Sequence, residues 1–443
     1  MVRLETVFLP SLRGLDADQI DEIAADGRVF ASRFWFEFLE SLDLNEITQG
    51  DVQLSFATVF ADGKPELIQP LLRARGSGVY FLYSLRRYYF EYWIEEAVRL
   101  RPEKRERFAM IFAGATRFRQ ALEWTGAPLD DCWIVGSPLT YRCHPAASPS
   151  ASVERTALYR RLVLDLQRLS RSSKRPLCFF GVEESGPADP WREALLHAGC
   201  AESFLFYDNL LKLGAFETFD DYLHSFRRTT RRAMQRDLKR TQEAGVELRI
   251  LQEFGGLDDA FAEMYKETYA RHGTSYYHHP PSFWRTLSKQ CGATGEAAAA
   301  FHQDELIGFS VLLESRRRGE MWTYRIGRRT EGPWGDAPYY FALSFYTPIR
   351  RAIELGYRRL WLGPAGYEAK RVRGAEQIPL YSYFWFPRRF DRWTLQRYLR
   401  LFGTITRKQL DLSLDPPPPT ALSLPERAEA RRRDEGLGTR DKG

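Results

Sequence analysis

Residues 335–374 read GDAPYYFALSFYTPIRRAIELGYRRLWLGPAGYEAKRVRG, a run that orders helix, strand and turn. Tyr339, Phe341, Leu343, Phe345, Ile349, Ala352 and Ile353 recur at roughly helical spacing, which predicts a helix with one face turned inward. Gly356 stops that helix, because glycine reaches left-handed dihedrals without a Cβ clash. Arg358–Gly363 is short enough for one strand, and Gly363-Pro364-Ala365-Gly366 turns the chain at its end. Ligand sites in α/β folds favour loops at the carboxyl ends of strands. Lys370, Arg371 and Arg373 therefore form a cationic cluster suited to an anionic or polarised group.

Outward from this run, the order of elements repeats. Asp16–Ala25 and Phe30–Leu42 predict helices, the second capped by Ser32. Leu54–Phe60, the turn Asp62-Gly63 and Leu67–Arg73 predict a hairpin, and Val79–Tyr83 a third strand. Arg101–Trp124 and Thr156–Arg171 have helical periodicity; Leu177–Val182 reads as a strand and Trp191–Ala198 as a helix capped by Gly199. In the second half Leu257–Arg271 and the run from Ser282 are helical, and AAAAFHQDELIGFSVLL echoes the earlier FATVFADGKPELIQPLL. Met321–Gly327 adds a strand before the long helix. This order implies two α/β domains, with a boundary near Cys200–Phe216.

With 443 residues and 44% apolar content, the chain is long enough for two packed cores. Five cysteines without C-x-x-C spacing point away from a disulfide framework or a zinc site and toward a reducing, cytoplasmic setting. No apolar run approaches the ~20 residues of a membrane span. The proline run 416–419 and the charged segment after it bury too little to offset ordering entropy, so 413–443 is expected to be disordered.

Arg227–Arg240 holds seven basic residues against the single acid Asp237, with Tyr222, Phe226, Ala233 and Leu238 spaced to seat one side. The outward arginines Arg227, Arg228, Arg231, Arg232 and Arg236 are suited to a phosphate backbone, or form a solvated face. Tyr276, Tyr277, His278 and His279 precede Pro280-Pro281; adjacent histidines in extended chain do not converge on a metal, so none is expected. One of them is placed to take a proton from an acceptor amine, making Tyr277 and His278 candidates for acceptor binding. In LYSYFWF, Tyr381, Tyr383 and Trp385 share one strand face, and Tyr383 joins the acceptor candidates.

The helix ending A-I-E-x-G, then strand, glycine turn and K-x-x-R-G, together with the basic helix in FETFDDYLHSFRRTTRRAMQRDLKRTQEAGVELRIL, resembles the Fem-type branch of the GNAT N-acyltransferase superfamily, which includes FemAB-like and BioF-like proteins. The resemblance covers about Phe216–Leu399 and implies an α/β (α+β) fold of two tandem GNAT-like domains with mixed central sheets. The domains expected are 1–205, 206–412 with the basic helix at 219–244, and the tail 413–443. It also implies an acyltransferase moving an acyl or aminoacyl group to an amine of a small molecule or peptide, with no tightly bound cofactor. In that pattern Lys370 lies by the acyl donor and Tyr324 ends the central strand, so both are catalytic candidates; Arg325, Arg329, Tyr340, Arg373 and Gly374 are donor-binding candidates.

Acetyl-CoA enzymes carry an R-x-x-G-x-G/A pyrophosphate loop before this helix. Here Arg329-Thr330-Glu331-Gly332 begins correctly but Trp334 replaces the small residue. A bulky indole obstructs the close backbone approach that a pyrophosphate needs, which favours aminoacyl-tRNA over acyl-CoA as donor. The competing readings are an acyl-CoA-dependent N-acetyltransferase and a non-catalytic protein that binds nucleic acid or cell-wall precursors.

Overall fold

The computed structural model of the protein describes residues 2–76, 84–92, 116–120, 122–123, 126, 129–184, 189–270 and 279–413. The expected third strand, most of the Arg101–Trp124 helix and the tail beyond Ser413 lie outside these. The chain forms two compact units, divided between Phe206 and Tyr207 and again between Ile378 and Pro379.

The first unit opens with β1 (Leu4–Leu9), α1 (Ala17–Ile23), α2 (Arg33–Glu40), α3 (Leu44–Thr48) and the hairpin β2 (Asp51–Ala61) and β3 (Lys64–Arg75). The Asp16 side chain caps α1 and the Ser32 hydroxyl accepts from Trp35 N at 3.3 Å to cap α2. Asp62 and Gly63 turn the hairpin with positive φ of 48° and 85°. Next come β4 (Asp131–Val135), α4 (Arg155–Ser173), β5 (Leu177–Glu183) and α5 (Pro190–His197), the last capped by Asp189. Trp35, Phe36, Phe56, Leu162 and Trp191 form its interior.

The second unit is entered within β6 (Ala201–Lys212) and continues through α6 (Phe219–His224), α7 (Arg228–Glu243), β7 (Val246–Leu251), α8 (Asp258–Ala270) and α9 (Pro281–Cys291). Then come β8 (Gly295–His302), β9 (Glu305–Ser315), β10 (Glu320–Arg328) and a composite helix α10. Its segments are Tyr339–Phe341, a π-turn at Ala342–Tyr346, and Thr347–Glu354. The chain ends with β11 (Arg359–Trp361), α11 (Tyr367–Val372), β12 (Glu376–Trp385) and α12 (Arg389–Ser413).

The predicted repetition is present in the pairing. Within the first unit the strands pair in the order β1-β2-β3-β4-β5-β12, and within the second in the order β7-β8-β9-β10-β11-β6. In each, one parallel contact sits inside antiparallel neighbours: Trp133–Val135 on Leu177–Phe179, and Glu320–Trp322 on Arg359–Trp361. The stretch near Cys200–Phe216 holds the strand β6, and the units divide within it, between Phe206 and Tyr207. Pro379–Asp411, expected in the second domain, packs in the first unit. Each sheet takes its last strand from the other half of the chain, which no linear division captures.

Gly327 on β10 marks where α8 meets the second sheet. A Cβ there would lie 2.4 Å from the Phe309 ring and 2.9 Å from the Tyr265 backbone nitrogen. Phe309 is stacked on Phe261 of α8 at 3.8 Å between centroids and has no room to yield. Gly327→Ala is therefore expected to lower stability by about 1–3 kcal/mol, the range for overpacking. A urea-unfolding midpoint that does not move would refute this account of the contact.

Candidate functional site

The second sheet carries two interruptions next to each other. Parallel pairing of β10 with β11 stops at Trp322/Trp361, whose rings stack at 4.8 Å, and the Thr323 hydroxyl makes one last bond to Trp361 O at 2.9 Å. On the opposite edge of β10 the register with β9 slips: Val311 faces Arg325 and Leu312 faces Thr323, leaving Tyr324 as the bulged residue. Bulges re-aim side chains and concentrate near active sites. The buried Tyr324 ring lies under the Arg325 guanidinium at 4.0 Å. Arg325 donates from Nε to His279 Nε2 at 3.1 Å and from Nη1 to Tyr324 O at 3.0 Å. His279 thus accepts at Nε2, which places its proton on Nδ1.

Past Trp361 the chain leaves the sheet through Gly363, Ala365 and Gly366, with φ of 74°, 61° and 58°. Ala365 holds a left-handed conformation that costs an L-residue about 1–2 kcal/mol. The turn leads into α11, so Lys370 stands on a short helix and not in a loop. Its side chain folds back over the strand end, donating from Nζ to Gly363 O at 2.8 Å and Pro364 O at 2.9 Å. Asn209 of β6 donates to the same Gly363 carbonyl from Nδ2 at 2.7 Å, while its own Oδ1 is buried without a partner among the described residues. Burial pulls the Lys370 amine down to about 7, opposed by the carboxylate of Asp208.

Arg373 is buried against the aromatic faces of Phe341, Phe345 and Tyr346 at 4.3, 4.8 and 5.2 Å. It donates to Ala369 O and to the Tyr346 hydroxyl, each at 2.9 Å, and pairs with Asp237 at 3.5 Å. The Tyr346 hydroxyl in turn donates to Asp237 at 2.9 Å. Gly374, with φ of 83°, ends α11 behind it. Arg373 thus holds α11 to α7 and α10 and is not a surface arginine.

The remaining candidates separate. Arg329 is held at the surface by Glu263 at 3.0 Å and Glu305 at 3.6 Å. Tyr340 is half-buried under the Arg328 guanidinium at 4.8 Å, and burial raises its hydroxyl pKa. Trp334 is buried between His302 and Tyr339, and its ring fills the space over Gly332 where a Cβ would come within 2.2 Å. On α7, Arg227, Arg228, Arg232 and Arg236 are exposed, Arg231 is half-buried, and Met234, Thr241 and Asp237 face inward. Tyr277 and His278 lie outside the described residues. Tyr383 belongs to the first unit, where its hydroxyl is bound by Glu202 and by Arg192 Nε at 2.9 Å.

Sequence reasoning missed Asn209, Asp237 and Tyr346 as parts of the arrangement. For Asn209 the signal was present: Asp208-Asn209 interrupts the otherwise apolar run FLFYDNLLKL, and a polar pair buried in a strand has to be bonded to something. Among the described residues no group of three or more His, Cys, Asp or Glu is placed to hold a metal ion, and no helix is long and apolar enough to cross a membrane.

A FemAB-like family model, described as peptidoglycan biosynthesis/recognition, matches residues 183–412, more than half of the chain. Among solved structures, a C-terminal DUF2156 domain from Agrobacterium fabrum, of a protein assigned as a lysylphosphatidylglycerol synthetase, aligns with TM-score 0.50 at 13% identity, covering 90% of this chain and 96% of that one. FemX aligns with TM-score 0.50 at 9% identity over 88% of this chain and 99% of its own. A tandem GNAT protein from the clavulanic acid biosynthesis pathway aligns at 0.42, with 13% identity over 87% and 99%. No curated protein matches.

The lowered Lys370 pKa has a signed consequence for stability. The folded chain releases this proton near pH 7, whereas an unfolded lysine holds it to about 10.4. Between those values the unfolded state binds more protons, so stability rises with pH across the window, and below it the full cost of the buried charge is carried. Urea midpoints measured from pH 6.5 to 9 are expected to climb, and Lys370→Met to flatten that part of the slope. A wild-type slope equal to that of the variant would show that the amine is not depressed.

Proposed function

The chain belongs to the FemAB-like family, with its tandem GNAT-like fold, and on that premise we propose that it transfers an aminoacyl group from aminoacyl-tRNA to an amine of a small-molecule or peptide acceptor. The observation that carries this reading is the buried amine of Lys370 at the end of β11, beside the point where β10 and β11 part. An ammonium has three N–H donors, and two of those on Lys370 are held by the Gly363 and Pro364 carbonyls. In the proposed reading the third is the one that meets the reacting group.

In the proposed step the acceptor nitrogen attacks the ester carbonyl carbon, the new C–N bond forms, and the bond to the ribose oxygen breaks. Lys370 gives a proton to the departing oxygen and regains one from the acceptor nitrogen, so no proton is gained or lost overall. A group with a pKa near the working pH serves best for such exchange. Positioning does the rest, because an activated ester requires no covalent enzyme intermediate.

Two features support tRNA as the carrier. The exposed arginines of α7 form a cationic face that suits a phosphate backbone. The Trp334 indole fills the space in which a pyrophosphate loop needs open backbone. The family description, peptidoglycan biosynthesis/recognition, supports an acceptor of cell-wall-precursor type.

With charged tRNA as donor, Lys370→Ala is expected to reduce turnover by about 10²–10³ while the protein keeps a cooperative melt. Arg228→Glu with Arg232→Glu should instead raise the KM for charged tRNA and lessen its salt dependence. Undiminished turnover in folded Lys370→Ala would remove the amine from the chemistry. Acylation from acyl-CoA, without any response to charged tRNA, would remove the donor assignment.

A further inference from the structure

A second surface, independent of the transfer site, lies on α12 in the first unit. Phe390, Trp393 and Leu401 are 58%, 59% and 60% exposed, and Ile405 is 37% exposed. Steps of three, eight and four residues, each close to a whole number of turns, keep these positions along one side of a helix. Arg397, Arg400 and Lys408 are exposed among or beside them, and the Arg397 guanidinium rests 4.2 Å over the Trp393 ring. The helix cannot roll to hide this stripe. Its other side is seated by Leu395 and Leu399, both buried, and the Ser203 hydroxyl donates to Leu399 O at 2.7 Å. Gly403 lies so close to the neighbouring strand that a Cβ would meet Phe204 N at 2.5 Å.

A water-facing helix gains nothing from an aligned Phe, Trp, Leu and Ile. The core of a protein–protein interface is enriched in aromatics and arginine but depleted of lysine, whereas here Lys408 joins the arginines among the apolar groups and Asp391, one of the two acids of the helix, is buried. That mixture matches a lipid surface: aromatic and aliphatic side chains enter the boundary between headgroups and acyl chains, while arginine and lysine meet lipid phosphates. Across Arg389–Ser413 there are six basic residues against two acids, and one of those acids, Asp391, is buried. We propose that α12 lies on an anionic phospholipid surface, with Phe390, Trp393, Leu401 and Ile405 sunk into the interface and the neighbouring cations on the phosphates.

The test is co-sedimentation of the full chain with phosphatidylcholine vesicles, with and without phosphatidylglycerol. The protein is expected to pellet with the anionic vesicles at low salt, and Trp393→Ala with Leu401→Ser to weaken partitioning at least about tenfold with an unchanged melt. Brominated phosphatidylglycerol should quench wild-type tryptophan emission more than that of Trp393→Phe, a readout that does not depend on the double variant folding. Three results would overturn the proposal. The first is equal sedimentation with and without phosphatidylglycerol. The second is binding that survives the α12 changes but is lost in Arg228→Glu/Arg232→Glu, which would assign the attraction to α7. The third is a dimer in solution that the α12 changes split, with no vesicle binding, which would make the stripe a contact between copies of the chain.

Discussion

The carbonyl of Gly363 receives two donors, the Lys370 ammonium and the Asn209 amide, and the arrangement around the strand end depends on that convergence. An ammonium buried without partners is strongly unfavourable. Two carbonyls at 2.8 and 2.9 Å and the nearby Asp208 offset much of that cost. In return the strand end, the left-handed turn and α11 are tied to β6, since Leu362 N also donates to Asn209 O at 2.8 Å. The positive φ of Ala365 persists because these bonds over-determine it.

Arg373 provides a second tie, and the π-turn in α10 makes it possible. A π-turn admits one extra residue, rotating the next helical turns by about 100° relative to an uninterrupted α-helix. Tyr346 closes that turn and meets both Asp237 and Arg373. Through Asp237 the arginine-bearing helix α7 is thereby joined to the helix that carries Lys370. An interaction along the outer face of α7 acts on a helix whose inner face is part of the same hydrogen-bonded cluster.

Much of this was legible in local chemistry. Asp16 and Ser32 announced helix starts, Asp62-Gly63 and Gln303-Asp304 announced hairpins, and both pairs of turn residues adopt positive φ. The repetition of elements was readable for the same reason, because each signal is local. The failures were non-local. The apolar run in β6 resembles any buried strand and carries no mark of which sheet its halves join. Tyr339, Phe341, Leu343 and Phe345 alternate within a helix, a conflict that the π-turn resolves but that spacing alone does not. Nothing local to Arg373 marks that Phe341, Phe345 and Tyr346 surround it.

The duplicated fold also explains why one unit is the better candidate for chemistry. In the first sheet, β4 and β5 part after Val135/Phe179, as β10 and β11 part after Trp322/Trp361. There the vacated edge is filled by the chain itself. Cys143 N donates to Gly181 O at 3.0 Å, and a Cβ on Gly181, whose φ is 87°, would lie 2.3 Å from Tyr141 O. Only glycine allows the loop to press so closely on the strand. In the second sheet, β10 continues to Arg328 paired with β9, and the chain beyond Trp361 turns away into α11. The same parting of strands is closed by backbone in one unit and faced by the Lys370 turn in the other. A loop presses on the strand where the first pair parts, whereas in the second the chain bends away and sets a titratable amine beside the strand end.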